Sequence, residues 1–129
     1  MTEFSGTQTA RGFETYARDY FSGLWGVELQ TSIVEVGGSV PKSFDFVSAD
    51  RRIVGDAKWY SMRGNGGVPQ AKLSVIAEYV WLLQKVEAEH RFLVFGHDPS
   101  VAELFLHRYR ALRSPVEFYF LDGSGHRVL

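Results

Sequence analysis

Three charged residues, Asp45, Asp56 and Lys58, have the types and spacing that phosphodiester chemistry requires. Asp56 and Lys58 are two positions apart in a run that predicts a β-strand, so their side chains leave the same face. Asp45 lies in the preceding predicted strand, between Phe44 and Phe46, which alternation places on the opposite face. A tight hairpin between the two strands would bring Asp45 opposite Asp56. Two carboxylates that hold a Lewis acid, with a lysine beside them, could hydrolyse a phosphodiester.

The predicted pair of acids favours a divalent cation bound by oxygen. Directly opposed cross-strand residues lie about 5 Å apart, and two carboxylates at an effective dielectric near 20 would repel by about 3–4 kcal/mol. A cation between Asp45 and Asp56 would turn this repulsion into affinity. The chain has no cysteine and no histidine near these residues in sequence. Oxygen-only ligation suits Mg²⁺ or Mn²⁺ rather than zinc.

The same residues also have a simpler interpretation. Aspartate and lysine two positions apart are common on the solvated face of a sheet, so the Asp56/Lys58 pair alone is a weak signal. The upstream Asp45 makes the pattern moderately specific. The sequence contains no P-loop, no GxSxG and no GxGxxG motif, so nucleotide hydrolysis, acyl transfer and dinucleotide chemistry have no support.

The elements that would position these residues follow from hydrophobic periodicity and turn residues. Spacing of three and four predicts helices, and alternation or short apolar runs predict strands. Their order is α, β, β, β, α, β, α, β, with the first three strands forming an antiparallel meander. This order predicts an α/β fold in which helices flank a mixed central sheet. The predicted ranges are helices 8–22, 69–89 and 100–112, strands 27–36, 42–48, 52–60, 91–96 and 116–121, and a flexible tail 122–129.

Composition predicts one soluble domain over residues 1–129. The chain is 45% hydrophobic, which is enough to build a core at this length without disulfides. The N-terminus is polar and lacks a secretory apolar stretch, and no apolar window is long enough to span a bilayer. We therefore expect a cytoplasmic protein without membrane contact.

The positive charge of the chain is concentrated between residues 42 and 72. This segment has six cationic and three acidic side chains, although the net charge of the whole chain is −1. An electropositive segment could attract a phosphate backbone, and ordinary loop charge is the alternative. Arg63 in the glycine-rich loop, and Gln70 and Lys72 at the start of the second helix, are the candidate nucleic-acid contacts. Gln70 and Lys72 could equally serve as helix-capping or solvated residues.

The order of these motifs resembles the PD-(D/E)XK nuclease superfamily, which has the restriction-endonuclease-like fold. The resemblance rests on Glu14 in the first helix, Asp45 in the strand FDF, and Asp56 and Lys58 in the DAK motif. The opening GFETYARDYF is similar to the first helix of RecB-like and Holliday-junction-resolvase-like members. The similarity spans residues 12–122 and includes the αβββαβ core order. Phe44 stands where the family name has proline.

The resemblance implies Mg²⁺-dependent cleavage of DNA, or less often RNA. It implies that Asp45 and Asp56 hold the metal, that Glu14 completes the acidic cluster, and that Lys58 assists the attacking water. From the residues alone, Glu14 would be a helix-surface acid paired with Arg18 at i,i+4. The chain departs from the glutamine–tyrosine motif of some RecB-like members, because its glutamine and tyrosine on the second helix are too far apart.

We expect a metal-dependent nuclease that acts on DNA. A domain this small has little surface for clamping a duplex, so a homodimer or a partner protein is expected. One alternative is a catalytically inactive nuclease-fold module that binds nucleic acid or a partner protein. Another is a phosphodiesterase or other metal hydrolase that uses the same acids on small molecules.

Overall fold

Helices on both faces of a six-stranded sheet form the fold in the computed structural model, which describes residues 9–62 and 69–129. The helices are α1 (Ala10–Trp25), α2 (Gln70–Gln84) and α3 (Ser100–Tyr109), the last followed by a 3₁₀ turn at Arg110–Leu112. The strands are β1 (Leu29–Val36), β2 (Val40–Ser48), β3 (Ile53–Tyr60), β4 (His90–His97), β5 (Val116–Asp122) and β6 (Gly125–Val128).

The strands lie side by side in the order of the chain, from β1 to β6. The first three form the predicted antiparallel meander. β3, β4 and β5 are parallel, connected through α2 and α3, and β6 pairs antiparallel with β5. The predicted α/β class, with a mixed sheet flanked by helices, is confirmed.

The core has two layers because the central strand β4 is apolar on both faces. Phe92 and Val94 pack with α1, whereas Leu93 and Phe95 pack with α2 and α3. All four side chains are fully buried. A continuous apolar run of this kind is typical of a parallel strand that is covered by helices on both sides.

β3 continues this alternation and positions the two charged residues of the DAK motif. Ala57 and Trp59 pack on the α1 side. Gly55 also faces that side, where a Cβ atom would lie 2.4 Å from the ring of Phe92. Asp56 and Lys58 therefore share the opposite face, the one that α2 covers.

Gly55→Ala should destabilise the protein, because the added methyl group would overlap the buried ring of Phe92. We expect the free energy of unfolding to fall by about 1–3 kcal/mol, the usual effect of overpacking. The matched control is Gly23→Ala in α1, where a Cβ atom meets nothing within 4 Å. The free energy of unfolding of the control should rise by about 0.5–1 kcal/mol, because alanine is more favourable than glycine within a helix. Urea unfolding measures both variants, and an unchanged midpoint for Gly55→Ala would contradict the close approach.

Residues 122–129 do not form the predicted flexible tail. Gly125–Val128 is the edge strand β6, and Leu129 N–H donates to the carbonyl of Phe118. A turn stabilised by Asp122, whose Oδ1 accepts from Ser124 N–H at 2.8 Å, reverses the chain. This strand is short and polar, so the sequence shows no hydrophobic alternation that would predict it. Its stability comes from pairing with β5.

The second helix is also shorter than predicted, because it ends at Gln84 rather than near Glu89. The N–H groups of Glu89 and His90 both donate to the carbonyl of Arg52, which places the start of β4 beside β3. The chain has to leave the helix before this point. Among the described helices, none combines the length and apolar character needed to cross a membrane.

Candidate functional site

The candidate site lies where carboxylates replace the backbone ladder between β2 and β3. The ladder pairs Phe46 with Gly55, and this register places Asp45 opposite Asp56, as predicted. At that point Asp56 Oδ1 accepts from Asp45 N–H at 2.9 Å, and Asp45 Oδ2 accepts from Ala57 N–H at 2.9 Å. Each acid therefore satisfies a backbone donor of the other strand.

A β-bulge in β2 sets the direction of Asp45. Gln30 pairs with Val47 and Ser32 pairs with Phe44, so two residues of β2, Asp45 and Phe46, lie opposite one residue of β1. In consequence Phe44 packs on the α2 side of the sheet and Phe46 on the α1 side. The prediction that both rings share a face was wrong, because it assumed an uninterrupted pleat. Bulges of this kind redirect side chains and are frequent beside active sites.

Asp56 and Lys58 form a buried ion pair. Lys58 Nζ donates to Asp56 Oδ2 at 2.8 Å, and the two residues are only 8% and 5% exposed. The same ammonium group lies 3.3 Å from the centre of the Tyr79 ring on α2, an arrangement that stabilises a cation. These exposures exclude the interpretation of Asp56 and Lys58 as solvated surface residues.

Glu14 joins this cluster from α1. Burial, and next its hydrogen bond with Asp45, raise the pKa of Glu14, although Arg18 acts in the opposite direction. Burial likewise raises the pKa of Asp45, and the negative charge of Asp56 adds to the effect. The structure therefore brings together Glu14, Asp45, Asp56 and Lys58, the four residues that the sequence nominated.

Arg18 also lies at the site, although it was not predicted to do so. Its Nη2 donates to Glu14 Oε2 at 2.9 Å, which confirms the predicted i,i+4 pair. The same nitrogen donates to Thr31 Oγ1 at 2.8 Å and to the Asp45 carbonyl at 3.2 Å. The helical spacing was the one available signal, and it could not show that the guanidinium also reaches β1 and β2. Arg18 and Lys58 together place two positive charges among three carboxylates.

The oxygen atoms of the cluster suit a hard divalent cation. Within residues 9–62 and 69–129, no group of three or more histidine, aspartate or glutamate side chains is arranged as a ready metal cage. Mg²⁺ is commonly held by one or two carboxylates and keeps several of its waters. A carboxylate has about four lone-pair positions. On Asp56, the hydrogen bonds from Asp45 N–H and Lys58 Nζ use two of these positions. The donor set therefore fits Mg²⁺ or Mn²⁺ chemically.

The candidate nucleic-acid contacts lie at the end of β3 and the start of α2. Lys72 Nζ donates to the carbonyl of Ser61 and lies 5.8 Å from the ring centre of Tyr60. Gln70 is exposed at the first residue of α2. Arg63 lies outside the described residues. Of the three candidates, Lys72 is thus placed beside the strand that carries Asp56 and Lys58.

Comparison with known proteins identified no relative of the chain. No protein-family model matches the chain, and neither a curated protein nor a solved structure shows significant similarity to it. The interpretation of the site therefore depends on its own residues and their geometry.

Proposed function

We propose that the protein is a metal-dependent nuclease that hydrolyses phosphodiester bonds in DNA. The observation that carries the proposal is the buried Asp56–Lys58 ion pair, which lies beside Asp45 and Glu14. At this point the aspartate side chains, rather than the backbone carbonyls, accept the hydrogen bonds between β2 and β3. Clusters of titratable groups with perturbed pKa values are typical of active sites.

The energetics of the ion pair support a chemical role. A buried ion pair contributes little net stability, because desolvation of both charges offsets their attraction. A neutral amide at position 56 could still accept from Asp45 N–H, and an apolar side chain at position 58 would complete the core on the α2 side without a buried charge. Function is therefore the better explanation for charged residues at these positions.

The roles of the residues follow from their positions. Asp45 and Asp56, with Glu14 beside them, would hold Mg²⁺ or Mn²⁺, which when bound supplies Lewis-acid activation of water and phosphate. Lys58 would stabilise negative charge that develops on the phosphate, and Tyr79 holds its ammonium group in place. Arg18 positions Glu14 and the backbone of Asp45.

The element order supports assignment to the restriction-endonuclease-like fold. The sequence α1-β1-β2-β3-α2-β4 matches the αβββαβ core expected for that fold, with an antiparallel meander followed by a parallel β3–β4 pair. The acids also lie on the elements that the PD-(D/E)XK resemblance implies, with one on α1, one on β2 and one on β3.

One observation favours a second candidate, a catalytically inactive nuclease-fold module that binds nucleic acid or a partner protein. The ammonium group of Lys58 is already bound to Asp56 and covered by Tyr79, an arrangement that could serve structure alone. Binding of DNA without cleavage in any metal would favour this candidate.

The test is incubation of the protein with supercoiled circular DNA and linear DNA in Mg²⁺, Mn²⁺ or EDTA. The proposed nuclease should nick or degrade DNA in either metal and be silent in EDTA. Equal breakdown with Lys58→Ala protein would leave the activity without a connection to Lys58. Intact DNA in both metals, at protein concentrations that bind it, would contradict the proposed activity.

Lys72→Ala should weaken DNA binding without slowing cleavage at saturating DNA. Among the described residues Lys72 makes no salt bridge, so its charge is available to a phosphate beside the end of β3. Loss of one phosphate contact should reduce the slope of log affinity against log salt by about 0.9 for duplex DNA. Binding in Ca²⁺ over a range of salt measures the slope, with Lys85→Ala at the other end of α2 as control. An unchanged slope would show that Lys72 makes no phosphate contact.

A further inference from the structure

An open cleft of about 400 Å³ adjoins the acidic cluster on the α1 side of β3. Two of its lining residues connect it to the candidate site. Glu14 is one of the clustered acids, and the N–H of Ala57 donates to Asp45. A group held in this cleft would therefore lie beside Glu14 and the backbone of β3 at Ala57. The lining residues are Ala10, Arg11, Phe13, Glu14, Ala57 and Trp59.

Aromatic rings form the wall of the cleft. Trp59 is only partly buried, and its ring centre lies 5.2 Å from that of Phe13 and 5.0 Å from that of His97. Phe13 fits there because Gly96 lacks a Cβ atom, which would come within 2.5 Å of its ring. The indole of Trp59 thus lies beside the rings of Phe13 and His97 and still contributes to the lining.

His97 adds a second, independent observation, because its backbone is strained. Its φ angle is +74°, in the left-handed region that side chains other than glycine rarely adopt. Strained residues of this kind concentrate at functional sites, where surrounding structure maintains them. Here the strained residue is exposed and places its imidazole beside Trp59, which lines the cleft.

We propose that this cleft binds an unpaired nucleobase, and hence that the substrate is single-stranded DNA or a single-stranded end. The proposal rests on the proposed nuclease function and names its substrate class. A base that stacks on the Trp59 indole has to leave its own stack, and the required unpairing is least costly in a single strand. The volume is sufficient for one base, and exposed Arg11 in the lining supplies a cation for a flanking phosphate.

The test is binding of a fluorescent oligothymidylate, as a single strand and annealed to oligoadenylate, to the full chain in EDTA. The single strand should bind more tightly than the duplex. Trp59→Ala should weaken single-strand binding by about 10-fold or more, the usual effect of removing a stacking ring. Ala10→Phe should weaken it too, because it fills the cleft from an exposed position where the fold is not at risk. Trp81→Ala, which removes an indole that is 58% exposed on α2, is the control and should bind like the wild type.

Each possible result decides the proposal. Loss of binding in Ala10→Phe and Trp59→Ala, but not in Trp81→Ala, supports the cleft as the base site. Wild-type affinity in Ala10→Phe, or no single-strand binding by the wild type, overturns it. Equal affinity for single strand and duplex overturns the substrate class. Because binding is measured in EDTA, these failures are distinct from failure of the nuclease function, which metal-dependent cleavage tests.

Discussion

Lys58→Ala is expected to slow metal-dependent DNA cleavage by about 100-fold or more, the usual effect of removing a charge that is preorganised for the transition state. The ammonium group is fixed before substrate arrives, since Asp56 accepts its hydrogen bond at 2.8 Å and the Tyr79 ring lies beneath it at 3.3 Å. Single-turnover cleavage of a labelled DNA at saturating protein measures the chemical step apart from affinity.

The matched control is Lys42→Ala, which removes the same charge from the same aromatic ring. Lys42 Nζ lies 5.0 Å from the centre of the Tyr79 ring, and its exposure is greater than that of Lys58. The control should cleave at close to the wild-type rate. Because Lys58→Ala also leaves the Asp56 carboxylate buried without its cation, the variant should unfold at a lower temperature. Rates are therefore compared well below that temperature, and a folded Lys58→Ala protein with the wild-type rate would exclude Lys58 from catalysis.

Local periodicity accounts for the part of the site that the sequence predicted correctly. Asp56 and Lys58 share a face because strand side chains repeat every two residues, and the same repeat places Gly55 and Ala57 on the other face. The hairpin also fixed the register, since a short turn leaves little freedom in pairing two strands. These features depend on residues that are close together in the chain, so they can be predicted from the sequence.

Tertiary structure accounts for the part that the sequence did not predict. The bulge that separates Phe44 from Phe46 arises from the pairing of β2 with β1, which no local pattern specifies. The bonds of Arg18 to β1 and β2 depend on the way α1 packs across the sheet. The burial of Lys58 depends on Tyr79, 21 positions further along the chain, which covers it from α2. Polar side chains acquire such partners only when distant elements meet.

Asp45→Asn should stabilise the protein in EDTA at neutral pH, by about 0.5–2 kcal/mol, as removal of a functional charge commonly does. Burial and the charge of Asp56 raise the folded-state pKa of Asp45 above its ordinary value of 3.8. The contribution of Asp45 to stability is therefore greatest below pH 3.8 and is lost as pH rises through the raised folded-state pKa. Asparagine keeps an oxygen that can accept from Ala57 N–H. Urea unfolding over a pH series should show the advantage of the variant disappearing towards pH 4, and an advantage that persists in acid would contradict this origin.

Mn²⁺ should reverse this order of stability, because the charge that opposes folding is the charge that would bind the cation. A ligand present at about 100 times its dissociation constant stabilises the folded state by about 2.7 kcal/mol. Mn²⁺ should raise the stability of the wild type by an amount of this order. It should stabilise Asp45→Asn little, because this variant has one fewer anionic ligand. The control is Glu78→Gln, which removes an exposed acid from α2 and should leave the gain intact. Melting temperatures in EDTA and in Mn²⁺ at pH 7 measure the effect for all three proteins.

If Mn²⁺ stabilised the wild type and Asp45→Asn equally, Asp45 would not be a ligand. If it stabilised neither, the carboxylates would hold no metal, and Lys58 would be left as the structural partner of Asp56.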